Sequence, residues 1–369
     1  MTKAIHRVIT ATCLLAAFVV APLSRAGEAA GPDCSPSGDY AFVCGIRNAE
    51  DLVRVPGTKW IIASGMDVDG ALYLIDSQGK SWTQLYPGRS PRAEHDKQAY
   101  GACPGAPSRE GFVTHGLSIT PVAEGRSRLY VVVHGAREAI EVFDVDARGE
   151  TPVLTWRGCV PTPDAMEANS VASSADGSLR VTIPLHTGIP ISTALAGKPT
   201  GGVYRWSPGE PGMKMMAGTE LPYANGIEVS ADGKEFYIAS SGLAAVIAYS
   251  NTDPARELWR TAPLSFIPDN LHAGPDGRLL TAGLNIADAA CGNVKQSEEF
   301  SLEEFASCPR PFTVVAVDPE TKQVDVIATG PANPRFSNIT MALPLGDEVW
   351  IGTFAGDRVA YGPLKQAGN

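Results

Sequence analysis

The sequence lacks the short motifs that mark several common enzyme classes. It contains no G-x-S-x-G nucleophile elbow, no H-E-x-x-H zinc motif and no glycine-rich phosphate-binding loop. It also has no C-x-x-C pair and no cysteine–histidine pair at zinc-ligand spacing. These absences argue against a nucleophilic serine hydrolase, a zinc protease, a phosphate-loop enzyme and a structural zinc module.

Charge is also scarce, and no basic stripe is present. Of 369 residues, 19% are charged and 44% are hydrophobic, so the chain can bury a large core. The formal net charge is -10 and the isoelectric point is near 5.2. An acidic chain without clustered Lys and Arg is a poor nucleic-acid partner, whereas cationic or neutral small ligands are compatible with it.

The first apolar run is shorter than the roughly 20 residues that a membrane span needs. It follows Lys3 and Arg7 and ends in small residues before Gly27, a pattern typical of a cleaved secretory signal peptide. We therefore predict a signal peptide over residues 1–26, one domain over 27–369, and a secreted or periplasmic protein with no stable membrane insertion after cleavage. The sequence identifies no protein partner.

Six cysteines remain after residue 26. An even number in an exported chain favours disulfides, although six thiols allow about 15 connectivities. Cys34 with Cys44 and Cys291 with Cys308 would each close a short polar loop. Elimination then leaves Cys103 with Cys159.

Helical periodicity is almost absent, and a β-hairpin pattern recurs instead. NSVASSADGSLRVTIP, NGIEVSADGKEFYIAS and NLHAGPDGRLLTAGL each have a polar first residue, an apolar strand, an Asp-Gly turn and a second strand. Diverged copies start at Glu50, His115 and Asn338, and a third strand usually follows each copy. Six such units without intervening helices predict an all-β fold, a six-bladed β-propeller with a central calcium site.

The polar first residues would meet at one mouth of the central channel, where the inner strand of each blade begins. Carboxylate and amide oxygens suit calcium, which accepts irregular coordination by six to eight oxygens. The sequence therefore predicts a calcium-binding ring at Glu50, His115, Asn169, Asn225, Asn270 with neighbouring Asp269, and Asn338.

Four segments resemble the paraoxonase/arylesterase family, and more distantly the gluconolactonase and strictosidine-synthase-like propellers. They are NAEDLVRVPGTKWIIASGM, THGLSIT, YANGIEVSADGKEFYIAS and PDNLHAGPDG. The resemblance runs from about Asn48 to the C-terminus. It implies that a catalytic calcium is held by Glu50, Asn169, Asn225, Asp269 and Asn270.

The same resemblance implies a histidine pair and a second, structural calcium. His115 and His134 match the family's histidines. The second calcium would use the Asp51 carboxylate, the Leu117 carbonyl and an aspartate where this chain has Ser170. Because serine removes a charged ligand, loss of the second ion, weaker binding and a water-filled substitute all stay open.

These parts predict a calcium-dependent hydrolase of carboxylic esters or lactones. The ion would polarise the carbonyl while His115, assisted by His134, removes a proton from water, and Asp269 could share the base role. Two alternatives stay open: a strictosidine-synthase-like propeller enzyme, and a non-catalytic calcium-stabilised propeller that binds a ligand or protein. His95, His186 and His272 receive no role.

Hairpin geometry gives an independent prediction for the histidine pair. His115 and His134 are equidistant from the turn at Glu124 and Gly125, so they should face each other across an antiparallel pair and share a hydrogen bond. The same arithmetic pairs Asn225 with Ser240. The sequon at Asn338 would suggest a glycosylated surface loop, whereas the repeat pattern puts Asn338 at the channel mouth.

Three long loops are candidates to shape substrate access at that mouth. They are residues 184–202, the insertion spanning Cys291 and Cys308, and the Pro- and Gly-rich stretch of residues 87–111. The segment EEFSLEEF in the second of them is predicted to form a short surface helix.

Overall fold

The computed structural model describes residues 33–296 and 300–364, and the proposed signal peptide of residues 1–26 lies outside them. Six sheets of four or five strands form the blades of a β-propeller, which confirms the predicted fold. Within each of the six sheets the main strands are antiparallel.

The blades are numbered in chain order, and their strands are given from the channel outwards. Blade 1 has Leu52–Arg54, Trp60–Ser64, Leu72–Asp76 and Ser81–Tyr86, and blade 2 has Phe112–Ala123, Arg126–Gly135, Ala139–Asp146, Val153–Pro161 and Arg92–Ala93. Blade 3 has Val171–Ser173, Leu179–Ile183, Gly202–Trp206 and Lys214–Met215, and blade 4 has Ala224–Val229, Glu235–Ser240, Ala245–Ser250 and Glu257–Arg260. Blade 5 has Leu271–Ala273, Leu279–Leu284, Phe312–Val317 and Val324–Gly330, and blade 6 has Ile339–Leu345, Glu348–Thr353, Arg358–Pro363 and Ala41–Cys44.

The middle strands of each blade are apolar because neighbouring blades cover both of their faces. Every residue of Leu279–Leu284 and of Phe312–Val317 is buried. Such strands read as continuous apolar runs rather than as alternating patterns. The hydrophobic core therefore lies between the blades. The polar groups lie at the ends of the strands.

The ring is closed by strand pairing. Ala41–Cys44, from the N-terminal side of the chain, pairs antiparallel with Arg358–Pro363 as the outermost strand of blade 6. The register runs from Ala41 opposite Tyr361 to Cys44 opposite Arg358. A disulfide between Cys34 and Cys44 lies at the end of this strand.

The other two predicted disulfides are also present. Cys103 is bonded to Cys159, and Cys291 is bonded to Cys308. Short helices occur only in connections among the described residues: 3-10 turns at Pro163–Ala165 and Val294–Gln296, and α-helices at Ile191–Leu195 and Leu302–Ser307. A small two-stranded ladder joins Ala287–Asp288 to Gly292–Asn293. Within this part of the chain, no helix has the length and apolar character to cross a membrane.

Candidate functional site

Polar residues from the inner ends of the blades converge on one cavity. The cavity has a volume of about 260 Å³ and is lined by Glu50, His115, Asn169, Asn225 and Asp269, together with mostly apolar side chains. Asn270 is fully buried beside Glu50. The structure thus brings together six polar side chains from the entrances of five different blades.

Four of these side chains each carry a buried oxygen that has no hydrogen-bond partner within the described residues. The atoms are Glu50 Oε2, Asn169 Oδ1, Asn225 Oδ1 and Asn270 Oδ1. A buried polar oxygen without a partner costs about 1–3 kcal/mol, so four in one place require an explanation. All four are acceptors, and oxygen acceptors are the ligands of a hard cation.

The amide nitrogens of the same asparagines are engaged as donors, which fixes the direction of the oxygens. Asn225 Nδ2 donates to Ser241 Oγ at 3.1 Å, and Asn270 Nδ2 donates to Glu50 Oε1 at 2.7 Å. Asn169 Nδ2 lies 3.5 Å from His115 Nε2. Each amide therefore uses its N–H groups on the protein and leaves its carbonyl oxygen available.

The main chain around these residues is held by the preceding blade of the ring. Thr182 Oγ1 donates to the Asn225 carbonyl and Thr340 Oγ1 donates to the Glu50 carbonyl, both at 2.6 Å. Glycines permit the close approach: a Cβ on Gly226 would lie 2.5 Å from the Asp269 carbonyl oxygen. The ring is therefore preorganised by contacts between blades.

The two carboxylates of the cavity resist ionisation without a cation. Burial, and then the neighbouring Asp51, raise the pKa of Glu50 well above its ordinary value. Burial and the charge of Glu50 do the same to the pKa of Asp269. Among the described residues no group of three His, Cys, Asp or Glu side chains could hold a metal ion. Most of the candidate ligand oxygens in this cavity belong instead to asparagine amides. The oxygen set and its negative charge fit calcium.

The second predicted set has a different character. The Asp51 carboxylate accepts hydrogen bonds from the Leu52 and Leu117 main-chain N–H groups at 2.8 and 2.7 Å, and from His272 Nε2 at 2.8 Å. Leu117 thus donates its main-chain N–H to Asp51, whereas the prediction made its carbonyl oxygen a calcium ligand. Ser170 Oγ is buried and has no hydrogen-bond partner in the described part of the chain, but a hydroxyl is neutral and is a weak calcium ligand. These groups do not fit a second calcium ion.

His272, for which no role was predicted, is the cationic partner of Asp51. Burial alone would lower its pKa, but the Asp51 carboxylate, with smaller effects from Glu228 and Glu50, raises the pKa of His272 to about 9. An imidazolium from blade 5 therefore neutralises a carboxylate from blade 1. No sequence motif predicts this pair, because the two residues are 221 positions apart in the chain.

The two predicted histidines are in direct contact. His115 Nδ1 lies 3.0 Å from His134 Nε2, and the ring centroids are 5.2 Å apart. His134 Nδ1 in turn lies 2.5 Å from Glu138 Oε2. Burial lowers the pKa of His115 to about 4, so this imidazole is neutral near pH 7. The sequence prediction missed Glu138.

The predicted strand register was wrong, although the contact was correct. His134 lies opposite Val113, not opposite His115, because the ladder shifts twice, between Pro121 and Ala123 and between Thr114 and Leu117. Ser240 likewise lies opposite Ala224, with a shift before Ile227, so its predicted pairing with Asn225 was also wrong. A bulge adds a residue to one strand and redirects its side chains. It therefore turns His115 and Asn225 toward the channel.

Two of the three long loops wall the cavity. Residues 184–202 contribute Ile191, Ala194 and Leu195 from their short helix. The insertion around Cys291 and Cys308 contributes Phe300, Leu302 and Phe305, so the predicted helix there faces the cavity. Residues 87–111 supply none of the lining residues.

Tyr223 is a further cavity residue that the sequence did not indicate. It lines both this cavity and a second, more polar one of about 320 Å³, which it shares with His115 and Asn169. Its φ of 48° places a bulky side chain in the left-handed region, which is uncommon and strained. Such strain is typical of residues held for a function.

Asn338 is buried, but it is not among the residues that line either cavity. Its Nδ2 donates to the carbonyls of Ala306 and Ala355, at 3.0 and 3.5 Å. The predicted place in the ring was therefore wrong. The side chain instead anchors the helix Leu302–Ser307, and its burial explains why the sequon does not form an exposed loop.

Residues 63–355 match the SMP-30/Gluconolactonase/LRE-like region family. The match spans well over half of the chain, and the chain belongs to this family. No curated protein sequence matches the chain. The predicted distant relation to gluconolactonases is thereby confirmed, while the narrower paraoxonase/arylesterase relation stays a prediction.

Solved structures share the fold at low sequence identity. A gluconolactonase from Xanthomonas campestris is 15% identical, with a TM-score of 0.53 over 93% of this chain and 99% of that one. A calcium-binding protein, regucalcin, from Agrobacterium tumefaciens is 10% identical, with a TM-score of 0.51 over 88% and 92%. At these identities the likeness shows the fold alone.

Proposed function

We propose that this protein is an exported, calcium-dependent hydrolase of carboxylic esters or lactones. The proposal rests on four buried oxygens that have no hydrogen-bond partner in the part of the chain that the structure describes, on Glu50, Asn169, Asn225 and Asn270. Asp269 adds a second carboxylate to the same cavity. The names of the structural relatives, gluconolactonase and calcium-binding regucalcin, agree with a lactone substrate and with calcium.

These oxygens would hold a calcium ion, which would supply polarisation of the substrate carbonyl and stabilisation of the negative charge that develops on the carbonyl oxygen. The protein's own contribution is a base beside the cluster. His115 Nε2 lies 3.6 Å from Glu50 Oε1, and the imidazole is neutral near pH 7. His115 therefore accepts a proton from the attacking water, with Asp269 as a second candidate base.

The cavity walls indicate what the substrate carries next to its carbonyl. Leu195, Ile267, Leu284, Phe300 and Phe305 are among the apolar side chains that surround the polar cluster. Burial of an apolar acyl or aryl group against them is favourable by about 25 cal/mol per Å². A hydroxyl-rich sugar lactone gains less from such walls. We therefore expect apolar lactones and aryl esters to be the better substrates.

Three disulfides agree with export, because such bonds persist in oxidising compartments. The proposed leader of residues 1–26 would direct the chain there. A secreted or periplasmic location also supplies calcium at the concentrations that an extracellular module of moderate affinity requires.

The decisive experiment measures hydrolysis of phenyl acetate, of apolar lactones of different ring size and of a sugar lactone, with and without a calcium chelator. We expect turnover that depends on calcium. The His115→Gln variant should lose about 100-fold or more of it while retaining calcium binding, and His134→Gln should lose less.

Two results would contradict the proposal. Wild-type turnover in the His115→Gln/His134→Gln double variant would remove the histidines from the reaction. Full calcium occupancy with no turnover on any of these substrates would favour the non-catalytic calcium-binding propeller instead.

A further inference from the structure

We infer that Glu138 is a positioning residue that fixes the proton positions on His134 and His115, so that His115 presents a basic nitrogen to the cavity. The expected effect of Glu138 on catalysis rests on the proposed function. Its structural content rests on three contacts in series, from Glu138 Oε2 to His134 Nδ1, from His134 Nε2 to His115 Nδ1, and from His115 Nε2 to Asn169 Nδ2.

The direction of these hydrogen bonds follows from the chemistry of the end groups. An ionised carboxylate only accepts, so the 2.5 Å contact places the proton of His134 on Nδ1. A neutral imidazole carries one proton, and His134 Nε2 is then an acceptor. His115 must donate from Nδ1 across the 3.0 Å contact, which leaves the lone pair of His115 on Nε2.

The far end of the series agrees with this assignment. An amide nitrogen only donates, so Asn169 Nδ2, 3.5 Å from His115 Nε2, meets a lone pair there. The same orientation leaves Asn169 Oδ1 free, and that atom has no hydrogen-bond partner among the residues that the structure describes. One set of proton positions therefore gives both a base at His115 and a free oxygen at Asn169.

Glu138 is held in place by the backbone around it. Its carbonyl accepts from the Thr162 N–H at 3.1 Å, and Ala136 N–H donates to the Gly111 carbonyl at 3.0 Å. Gly135 permits this tight path, because its φ is 96° and a Cβ there would lie 2.5 Å from the Gly111 carbonyl oxygen. The Glu138 side chain is 15% exposed, so water competes little for the carboxylate.

The two histidines also connect two cavities. His115 lines both the cavity with the polar cluster and the second, more polar cavity, whereas His134 lines the second cavity alone. A proton taken by His115 on Nε2 is balanced by transfer of its Nδ1 proton to His134 Nε2. The Glu138 carboxylate stabilises the resulting His134 cation, which faces the second cavity. Glu138 itself does not line the substrate cavity.

The test compares Glu138→Ala, which removes the acceptor, with Glu138→Gln, which retains a neutral acceptor, and Glu138→Asp, which retains the charge. We expect Glu138→Ala to lower kcat about 10- to 100-fold with little change in KM, and the other two variants to recover part of the loss. Glu124→Gln is the matched control, because that exposed carboxylate lies at the turn of the same hairpin and lines neither cavity.

Nitrogen-15 NMR of the histidine side chains reports the proton positions without reference to activity. In the wild-type holoprotein we expect a protonated Nδ1 and an unprotonated Nε2 on His134. In Glu138→Ala this signature should change, with the melting temperature and calcium affinity close to wild type.

A His134 protonated on Nε2 in the wild-type protein would overturn the inference, as would unchanged kcat in Glu138→Ala. If the wild-type protein hydrolyses none of the substrates, the proposed function fails, and the NMR spectra still decide whether Glu138 sets the proton positions.

Discussion

Glu50 and Asp51 are adjacent buried carboxylates with opposite surroundings. Glu50 accepts one side-chain hydrogen bond, from Asn270, and its Oε2 has no partner within the described residues. Asp51 accepts three N–H groups, from Leu52, Leu117 and His272. Successive residues point in opposite directions from an extended chain, so the Glu50 carboxylate enters the cavity while the Asp51 carboxylate points away from it and meets donors from three blades.

The difference separates a binding carboxylate from a structural one. A buried charge requires compensation, and Asp51 receives it from the protein itself through donors on blades 1, 2 and 5. Glu50 lacks that compensation, which leaves its charge and lone pairs for an external cation. Both carboxylates are buried, so burial does not distinguish them. The number of hydrogen bonds that each one accepts from the protein indicates that Glu50, and not Asp51, binds a ligand.

The largest expected effect comes from removing the charge of Glu50. Glu50→Gln keeps the shape but removes the anionic ligand, so we expect loss of calcium binding and about a thousand-fold loss of ester or lactone hydrolysis, since metal assistance contributes several kcal/mol. Isothermal titration calorimetry and initial rates measure the two quantities. Calcium binding of wild-type affinity in this variant would break the comparison.

Removing the charge of Asp51 should act on stability instead. Asp51→Asn leaves His272 without its anionic partner, and we expect the free energy of unfolding to fall by about 3 kcal/mol, the lower end for a broken buried pair. Urea denaturation measures this loss. Calorimetry should give one calcium ion per chain in both the wild type and this variant. A second ion in the wild type that disappears in Asp51→Asn would show that Asp51 is a ligand.

Asp269 tests whether the second carboxylate of the cavity shares the ion with Glu50. Asp269→Ala should lower calcium affinity and remove the calcium-linked gain in stability, which amounts to about 2.7 kcal/mol when free calcium is 100 times the Kd. Thermal melting with calcium and with chelator measures the gain. Identical melting of the wild-type protein under the two conditions would contradict the assignment.

Substitution of Asn338 should have the smallest effect, and it is a control for the calcium-binding role of the other asparagines. Its Oδ1 is also buried and lacks a hydrogen-bond partner within the described ranges, yet the residue does not line the cavity. Asn338→Gln should cost about 1 kcal/mol through the lost hydrogen bond to Ala306, with no change in calcium affinity. A weakened calcium affinity would place Asn338 back in the ring.

The fold could be predicted from the sequence because the patterns that indicate it are local. Asp-Gly turns, apolar strands and their repetition are contained within about twenty residues, and each blade repeats the same information. The polar residue at the start of each inner strand was readable for the same reason. Asn338 shows the limit of this reasoning, because a place in the repeat did not ensure a place in the cavity.

By itself, the sequence determined the six blades and most of the group of residues that meet at the channel mouth, since strand alternation and repeat spacing carry that information. The disulfide pairing was predicted from loop length and elimination, and the structure confirmed it. Only the tertiary structure decided how each member of that group is used. The bulges that turn His115 and Asn225, the contact of His134 with Glu138 and the pairing of Asp51 with His272 depend on which donor meets which acceptor. Hydrogen bonds are short and directional, so a shift of one residue in register changes the partner, and no local pattern in the chain records that choice.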